Sequence, residues 1–351
     1  LKDGYEVDIA AEFTGNKKKL LKMGFKTHDI NFNRNSLNLL RAIFSMVQIF
    51  ILFNKVKPNI AHLVSLKPII FGGLVSFFSP VNSLVLSITG LGSMFIKKGF
   101  IFKIRELILN KLYTIIFMFP KIIVILQNHN DLYYLIKKSN LKKNNVKIIK
   151  GSGVELNKFK FSKIPKNIPI IVMASRIIAD KGVNEYINAI KYLKKVKFKA
   201  KFYLIGDIDF ANPSAIYKST IDYWKKKKLV KYIKHQKRIF KFIKKSTILV
   251  LPSYREGFPK ILMEAAACGR PVITTNVPGC RDAVINNTTG ILIPVKNSLA
   301  LAKAIQNLCS NRNKLEKFGK ASRKHAIKNF DIKDVVSKHI SIYNSLSKKF
   351  D

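Results

Sequence analysis

ILVLPSYREGFPKILMEAAACGRPVITT, residues 248–275, reads as one complete unit of strand, loop, helix, turn and strand. Pro259 suits the first helical position because its absent N–H would be unpaired there, and Gly269 suits a left-handed stop after Cys268. The loop Arg255-Glu256-Gly257-Phe258 therefore ends on a helix start. Free backbone N–H groups and a positive dipole end at such a start suit phosphate, and Gly257 is expected to let a ligand approach the chain closely.

The same punctuation recurs on either side. After a linker near residues 159–167 come a strand at 168–174, a helix at 182–195, strands at 201–205 and 232–233, and a helix at 239–244. Before the linker, strand-like runs at 5–10, 60–63, 83–88 and 122–126 alternate with helical stretches such as 37–54 and 97–119. Alternation of this kind makes parallel sheets covered on both faces, so the fold class is α/β, with two Rossmann-like doubly wound domains facing a cleft. The first domain spans residues 1–150, a hinge covers 151–167 and the second domain spans 168–330. A last helix at 331–351 is expected to pack back on the first domain. Ligands of such sheets bind beyond the carboxyl ends of the strands, which puts the site in the cleft.

Two groups of polar residues fall there. Glu256 stands on the loop, and Glu264 lies on the helix among Ile261, Leu262, Met263 and Ala265 to Ala267. An unpaired acid on a helix so apolar is costly, which singles out Glu264. Carboxylates so placed accept the paired hydroxyl hydrogen bonds that a sugar or a ribose presents. In ASRIIADKGVNEYINAI, residues 174–190, Arg176 and Lys181 follow the end of a buried strand. Two cations at that point suit a diphosphate, Arg binding two oxygens and Lys acting as a point charge. Each group also has a plainer reading: two Glu at this spacing are common on solvated helices, and Arg176 and Lys181 are two of 64 basic residues.

Sixty-four Lys+Arg against 20 Asp+Glu give a formal charge of +44, more than solubility asks of a globular chain, so an anionic partner is expected. Lys greatly outnumbers Arg, and no basic stretch is interleaved with aromatics as in a zinc finger or an RNP box, which argues against nucleic acid. An anionic membrane surface fits the charge, and so does a plain compositional bias toward Lys, Asn, Ile and Phe. Cys268, Cys280 and Cys309 have neither metal-ligand spacing nor an even count, which points to a reduced, cytoplasmic compartment. Residues 68–96 carry no charge over a length that meets the rule for a membrane span. Gly72-Gly73, the turn at 79–83 and Gly90-Leu91-Gly92 divide them instead into a short helix, a turn, a buried strand and a loop. The apolar run 43–53 is too short to cross. Leu1 stands where Met is usual and a strand follows the Gly4 turn, so an earlier strand and helix are expected upstream.

EGFPKILMEAAACGRPVITT with its E-x7-E pair, the Arg and Lys of ASRIIADKG and the hinge GSGVELNKF together resemble the donor-binding domain of glycosyltransferase family 4. LPSYREG, PKILMEAAACGRPV and VPGCRDAV are similar in particular to bacterial enzymes of lipid-linked glycan, O-antigen or capsule synthesis. The resemblance is strong after Val146 and weak before Pro58. It implies the glycosyltransferase-B fold and a retaining transfer of a hexosyl or N-acetylhexosaminyl group. The donor would be a nucleotide sugar, UDP-linked, and the acceptor lipid-linked or a polysaccharide, at the inner face of a bacterial membrane. Carried over to this chain, Arg176 and Lys181 would hold the diphosphate, and the backbone of Gly257, Phe258 and Pro259 would contact the sugar and its phosphate. Glu256 would bind sugar hydroxyls, Glu264 the ribose, and the base would rest near 233–238. Glu256, Lys181 and Arg176 form the expected catalytic set. No cofactor or metal is expected, the leaving diphosphate being met by cations and a helix dipole.

The chain also departs from that pattern. A His that touches the sugar in many members is replaced by Thr89-Gly90, and the family's Gly-rich loop is expected to precede Leu1. His62 is expected to pack or cap rather than catalyse. Asp207-Ile208-Asp209 mimics a metal-binding D-x-D but stands in a turn. Rival readings are a nucleotide-sugar epimerase of the same architecture and a non-catalytic remnant that keeps the donor pocket.

Overall fold

Short apolar runs form central strands of the two larger sheets. The computed structural model describes residues 3–32, 38–91 and 99–347. Its first half runs β1 (Asp8–Ala11), α1 (Lys17–Lys22), β2 (Lys26–Asp29), α2 (Leu39–Val56), β3 (Ile60–Val64), α3 (Leu66–Val75), β4 (Ser83–Ile88), α4 (Phe100–Ile116), β5 (Ile122–Leu126), α5 (His129–Ser139) and β6 (Val146–Ile148). The second half runs β7 (Ile170–Ala174), α6 (Val183–Lys195), β8 (Lys201–Ile205), α7 (Lys218–Lys226), β9 (Lys231–Ile233), α8 (Phe240–Lys245), β10 (Ile248–Leu251), α9 (Lys260–Ala267), β11 (Val272–Thr275), α10 (Cys280–Ala283) and β12 (Gly290–Ile293). The helices α11 (Ser298–Cys309), α12 (Arg312–Asn329) and α13 (Ile332–Ser347) close the chain.

All strand pairs among the described residues are parallel. The first domain carries the order β3-β4-β5-β6, and the second β12-β11-β10-β7-β8-β9. β4 shows why both faces are covered. Leu84, Leu86 and Ile88 pack toward the helices α2 to α5, while Val85 points the other way, toward Val335, Ile342 and Leu346 of α13. In the second domain the chain runs from β7 outward to β9, then returns to β10 on the other side of β7. That reversal splays the connecting loops and leaves a crevice at the carboxyl ends of β7 and β10.

The chain passes between the domains twice, side by side. The amide of Val154 donates to the Phe330 carbonyl at 2.8 Å, and that of Ile332 to the Val154 carbonyl at 3.2 Å. Beyond the crossing, α13 lies on the first domain, where His62 Nδ1 is 2.7 Å from the Tyr343 hydroxyl and Tyr5 donates to Asn344. Residues 348–351 of the expected last helix lie outside the described residues.

Several expectations need correction. The strand expected at 5–10 is β1, at 8–11, and it pairs with β2 in a separate two-stranded sheet. β2, of sequence KTHD, has no apolar alternation and gave no signal of its own. The short run at 43–53 lies on a helix of 18 residues, because Leu39 and Leu40 extend the apolar stretch past Arg41. By length and composition α2 is long enough to cross a membrane. Only a narrow stripe, Ser45, Ile49 and Phe53, is buried against the domain. Leu37 of the helix expected at 37–54, and residues 97–98 of the one expected at 97–119, lie outside the described residues. The uncharged stretch after residue 68 divides into α3, a turn and β4, but the break falls at the turn near 79–82, and Gly72 and Gly73 lie inside α3.

Arg270 is a buried cation that holds part of the second domain together. It is wholly buried, and its guanidinium donates to carbonyls of Ile243, Lys244, Ser162 and Cys268 and to the Ser162 hydroxyl. Burial lowers its pKa to about 10, which leaves it charged at neutral pH. One side chain thereby ties the end of α8 and the turn after α9 to the linker at 162–163. Arg270→Met is expected to cost about 3 to 5 kcal/mol, as when one side of a buried charged network is removed, read as a lower unfolding midpoint in urea. A midpoint within the error of the parent's would show that these carbonyls find other donors.

Candidate active site

At the carboxyl ends of the second domain's strands the loops enclose a cavity of 540 Å3. Ser175 and Arg176 line it after β7, Gly206 and Asp207 after β8, and His235, Gln236 and Lys237 after β9. The hinge adds Gly153, Glu155 and Lys158, and the first turns of α9 add Lys260, Ile261 and Glu264. Pro259 is the cap of α9 rather than its first helical residue: its ψ of 117° is extended, so the helix begins at Lys260. The first turn of α9 holds no acid and receives no side-chain cap, which leaves its positive end to an anion.

Glu264 is 8% exposed and faces this cavity. Burial raises its pKa to about 7, against the pull of Lys260 and Lys158. A carboxyl so held both accepts and donates hydrogen bonds near neutral pH. Arg176, on the same cavity, forms a 2.6 Å ion pair with Asp209 and keeps 44% of its side chain exposed. Asp207 accepts from the amide of His235 at 3.0 Å and so shapes the loop after β9. The two acids of the D-x-D sequence thus orient a cation and a loop.

Lys181 and Glu256 stand outside that lining and meet each other. Lys181 Nζ donates to Glu256 Oε1 at 2.5 Å, with both side chains less than one fifth exposed. Lys181 ends a short 3-10 turn that leads into α6, and the amide of Tyr254 donates to the Asp180 carbonyl at 2.9 Å. The loops after β7 and β10 are therefore stitched together at the switch point. The structure divides the expected constellation into two pairs, Arg176 with Glu264 on the cavity and Lys181 with Glu256 at the domain junction. Phe258 is buried beside Phe330, with ring centroids 5.6 Å apart, so only its backbone is available to a ligand.

Gly257 is a correction. A Cβ on it would lie 1.8 Å from the Thr89 carbonyl oxygen and 2.7 Å from Gln127 Oε1. On the side where a side chain would project, what approaches this glycine is the first domain. Gly90 answers it: its φ is +125°, and a Cβ there would lie 2.9 Å from the Gly257 Cα. No side chain of any size at residue 90 fits this contact, which gives a physical reason why no His stands there.

His62, on β3, is half-buried beneath α13, bonded to Tyr343 and, through Nε2, to the Ser87 hydroxyl at 2.7 Å. Burial and the neighbouring His339 lower its pKa to about 4, so it is neutral at physiological pH. It lines a second cavity of 380 Å3 with Ser87, Thr89 and Gln127, walled by Ile125, Ile149 and Ile332. The sequence reading missed Asn128, Asp131 and Arg255, which join the domains next to Glu256. Arg255 Nη2 donates to Asp131 Oδ1 at 2.6 Å, and Asn128 Nδ2 to the Gly257 carbonyl at 3.2 Å.

With this geometry in hand, two family models match the chain. The one described as Glycosyl transferases group 1 covers residues 154–325, and the one described as Glycosyl transferase 4-like covers residues 1–118. The chain is 26% identical over 344 residues to the Campylobacter jejuni N,N'-diacetylbacillosaminyl-diphospho-undecaprenol alpha-1,3-N-acetylgalactosaminyltransferase, spanning 94% of this chain and 89% of that one. It is 27% identical over 331 residues to the Staphylococcus aureus capsular polysaccharide biosynthesis glycosyltransferase CapM, spanning 90% and 84%. Among solved structures, Anabaena HepE in complex with UDP-glucose matches with a TM-score of 0.78 at 18% identity, covering 97% of this chain and 91% of that one.

The raised pKa of Glu264 has a sign that can be tested. Between the ordinary value of 4.5 and about 7 the folded chain keeps a proton that the unfolded chain releases. The stability contributed by this group is therefore full below pH 4.5 and is lost as pH rises through 7. Relative to the parent, Glu264→Gln is expected to gain stability equivalent to about 1 to 3 kcal/mol at pH 8 and nothing at pH 4.5. Paired thermal melts at the two pH values check this, and an equal difference at both would mean that the carboxyl is not desolvated.

Proposed function

We infer the reaction from the premise that this chain belongs to the group 1 glycosyl transferases, is a glycosyltransferase and has the glycosyltransferase-B fold. In our reading it moves a hexosyl or N-acetylhexosaminyl group, with retention, from a UDP-linked donor to a lipid-linked or polysaccharide acceptor of bacterial surface glycan synthesis. The observation that carries the reading is the cavity beyond β7 to β9, where Arg176 and Glu264 stand beside the acid-free first turn of α9. It offers a cation and a helix dipole to a diphosphate and a carboxyl to ribose hydroxyls, with the loop at 234–238 beside the base. Lys181 and Glu256, nearer the first domain, are placed for the second phosphate and the sugar hydroxyls. As the donor bond breaks, charge grows on the leaving phosphate, and the preoriented Arg176, Lys181 and α9 meet it without rearrangement. UDP-glucose in HepE supports the donor class, and the undecaprenol-linked substrate in the name of the Campylobacter relative supports the acceptor class.

The acceptor's anchor suggests where the protein works. On the outer face of the first domain, α2 exposes Leu39, Leu40, Ile43, Phe44, Val47, Phe50 and Ile51, and α4 exposes Phe100, Ile101, Ile104, Leu107 and Ile108. Both helices pack on α3, which lies between them. Exposed Arg41, Lys55, Lys103 and Arg105 stand among them. Apolar side chains ringed by cations fit the anionic inner surface of a cell membrane, which supports the reading that the enzyme works on the cytoplasmic side.

Release of nucleoside diphosphate from a panel of nucleotide sugars, measured with and without lipid-linked acceptors, tests the reaction, and the anomeric configuration of the product tests retention. Glu256→Ala and Lys181→Ala are each expected to slow transfer by more than about tenfold, the scale of a lost transition-state contact. Unchanged rates in both would move the site elsewhere. Cosedimentation with vesicles containing anionic lipid is expected to fall as salt rises, and Phe44→Glu with Ile51→Glu is expected to abolish it. Indifference to lipid would remove the membrane from the reading.

A further inference from the structure

Glu256 sits between two residues that the other domain holds. Before it, Arg255 pairs with Asp131, a carboxylate 1% exposed in the first turn of α5. After it, the Gly257 carbonyl accepts from Asn128 Nδ2 at 3.2 Å. The two holders are themselves joined: Asn128 Nδ2 donates to Asp131 Oδ2 at 3.0 Å, and Asn128 Oδ1 accepts from the Asp131 amide at 2.9 Å as the cap of α5. The Gly257 backbone meanwhile rests on Thr89 and Gln127, so the loop has little freedom to shift along the cleft. Held at both neighbours, Glu256 directs its side chain back into the second domain, onto Lys181.

We propose that Asn128 and Asp131 are positioning residues for the transfer, setting Glu256 from the first domain through its neighbours in the chain, so that the sugar-side acid reaches its working place only when the domains are closed. The inference rests on the reading that Glu256 serves the donor sugar. Its physical content is a division of labour. Arg176 and Glu264 stand on a cavity formed by the second domain with the hinge and the crossing at Ile332, whereas the Glu256 loop is completed by the domain that faces the acceptor. Asp131 tolerates an open state, because the Asn128 cap and the amino end of α5 still satisfy it when Arg255 withdraws. Closure therefore adds a strong ion pair without requiring a bare buried charge in the open form. Donor nucleotide can bind to either form, and bond breaking waits for the closed one.

The experiment uses the full chain with Asp131→Asn and Asn128→Ala, each compared with Glu256→Ala and with the double change Asp131→Asn, Glu256→Ala. Amide hydrogen exchange at 255–258 with UDP bound, UDP affinity by calorimetry, thermal melting and the turnover of UDP-sugars are measured. The expected result is exchange at the loop at least about tenfold faster in both single variants, with UDP affinity within about twofold of the parent and melting little changed. Turnover falls at least about tenfold, and the double change is no slower than Glu256→Ala alone, the sign of residues acting as a unit. Unaltered exchange at the loop overturns the proposal whatever the turnover. So does a double variant in which the two losses multiply, since the first domain would then act by another route. Full turnover in Asp131→Asn with none in Glu256→Ala refutes positioning and leaves the proposed function standing, whereas full turnover in Glu256→Ala refutes both.

Discussion

The carbonyl of Thr89 and the Cα of Gly257 lie so close that no side chain fits between them, and this contact joins the two domains at the donor loop. Two glycines make it possible, Gly90 by adopting a positive φ and Gly257 by presenting bare backbone. Much of the site's arrangement follows. Because the loop after β10 is pressed against the ends of β4 and β5, its neighbours Arg255 and Gly257 come within reach of Asp131 and Asn128. Because it is pinned on that side, Glu256 is left to face the second domain. A bulkier residue at either glycine would push the domains apart before it disturbed either sheet, so the constraint belongs to the interface rather than to the folding of either half.

The two parallel sheets meet this demand from below. In the second domain the order of the strands reverses between β7 and β10, which opens a crevice there. The loop after β7 contributes Arg176 and Lys181, and the loop after β10 contributes Glu256. The first domain supplies its contact in the same way, from the ends of β4 and β5. The crossing strands of chain at Val154 and Phe330 to Ile332 keep the two sets of loops facing each other, and α13 binds the far side of the first sheet. The cavity with Arg176 and Glu264 reaches as far as Gly153 and Ile332, so the crossing is part of its wall.

How much of this was legible depends on the range over which each feature is encoded. β5, β7 and β10 are uninterrupted apolar runs and β4 is nearly one, and the unit from 248 to 275 carries its own start and stop signals, so both were readable from local sequence. β2 was not, because KTHD has no apolar face and forms only by pairing with β1. The acid on α9 stood out against its apolar neighbours. Asn128 and Asp131 did not, since a capped helix start such as QNHND is a common local motif, and its second use, gripping a loop more than a hundred residues away, leaves no trace in spacing. Gly257 was read as room for a ligand because sequence shows that a glycine is needed and not what approaches it.

The charge balance gives a last reason to take the acids seriously. With 64 basic residues against 20 acids, the position of any one lysine carries little information, and the long-range field of the whole chain already favours an anionic substrate. A field of that kind is screened within about 10 Å at 0.1 M salt, so it brings a ligand near but orients nothing. Orientation has to come from short contacts, and here the scarce acids supply them. Asp209 holds Arg176, Glu256 holds Lys181 and Asp131 holds Arg255. Each of these long cationic side chains would otherwise sample many rotamers, and under the proposed function a diphosphate binding to Arg176 and Lys181 would have to restrict that freedom itself. Paired in advance, those two lose less on binding and, under the proposed function, present charge where it is needed when the donor bond breaks. Under the proposed function, Asp209 and Glu256 serve the phosphate by fixing the cations that meet it.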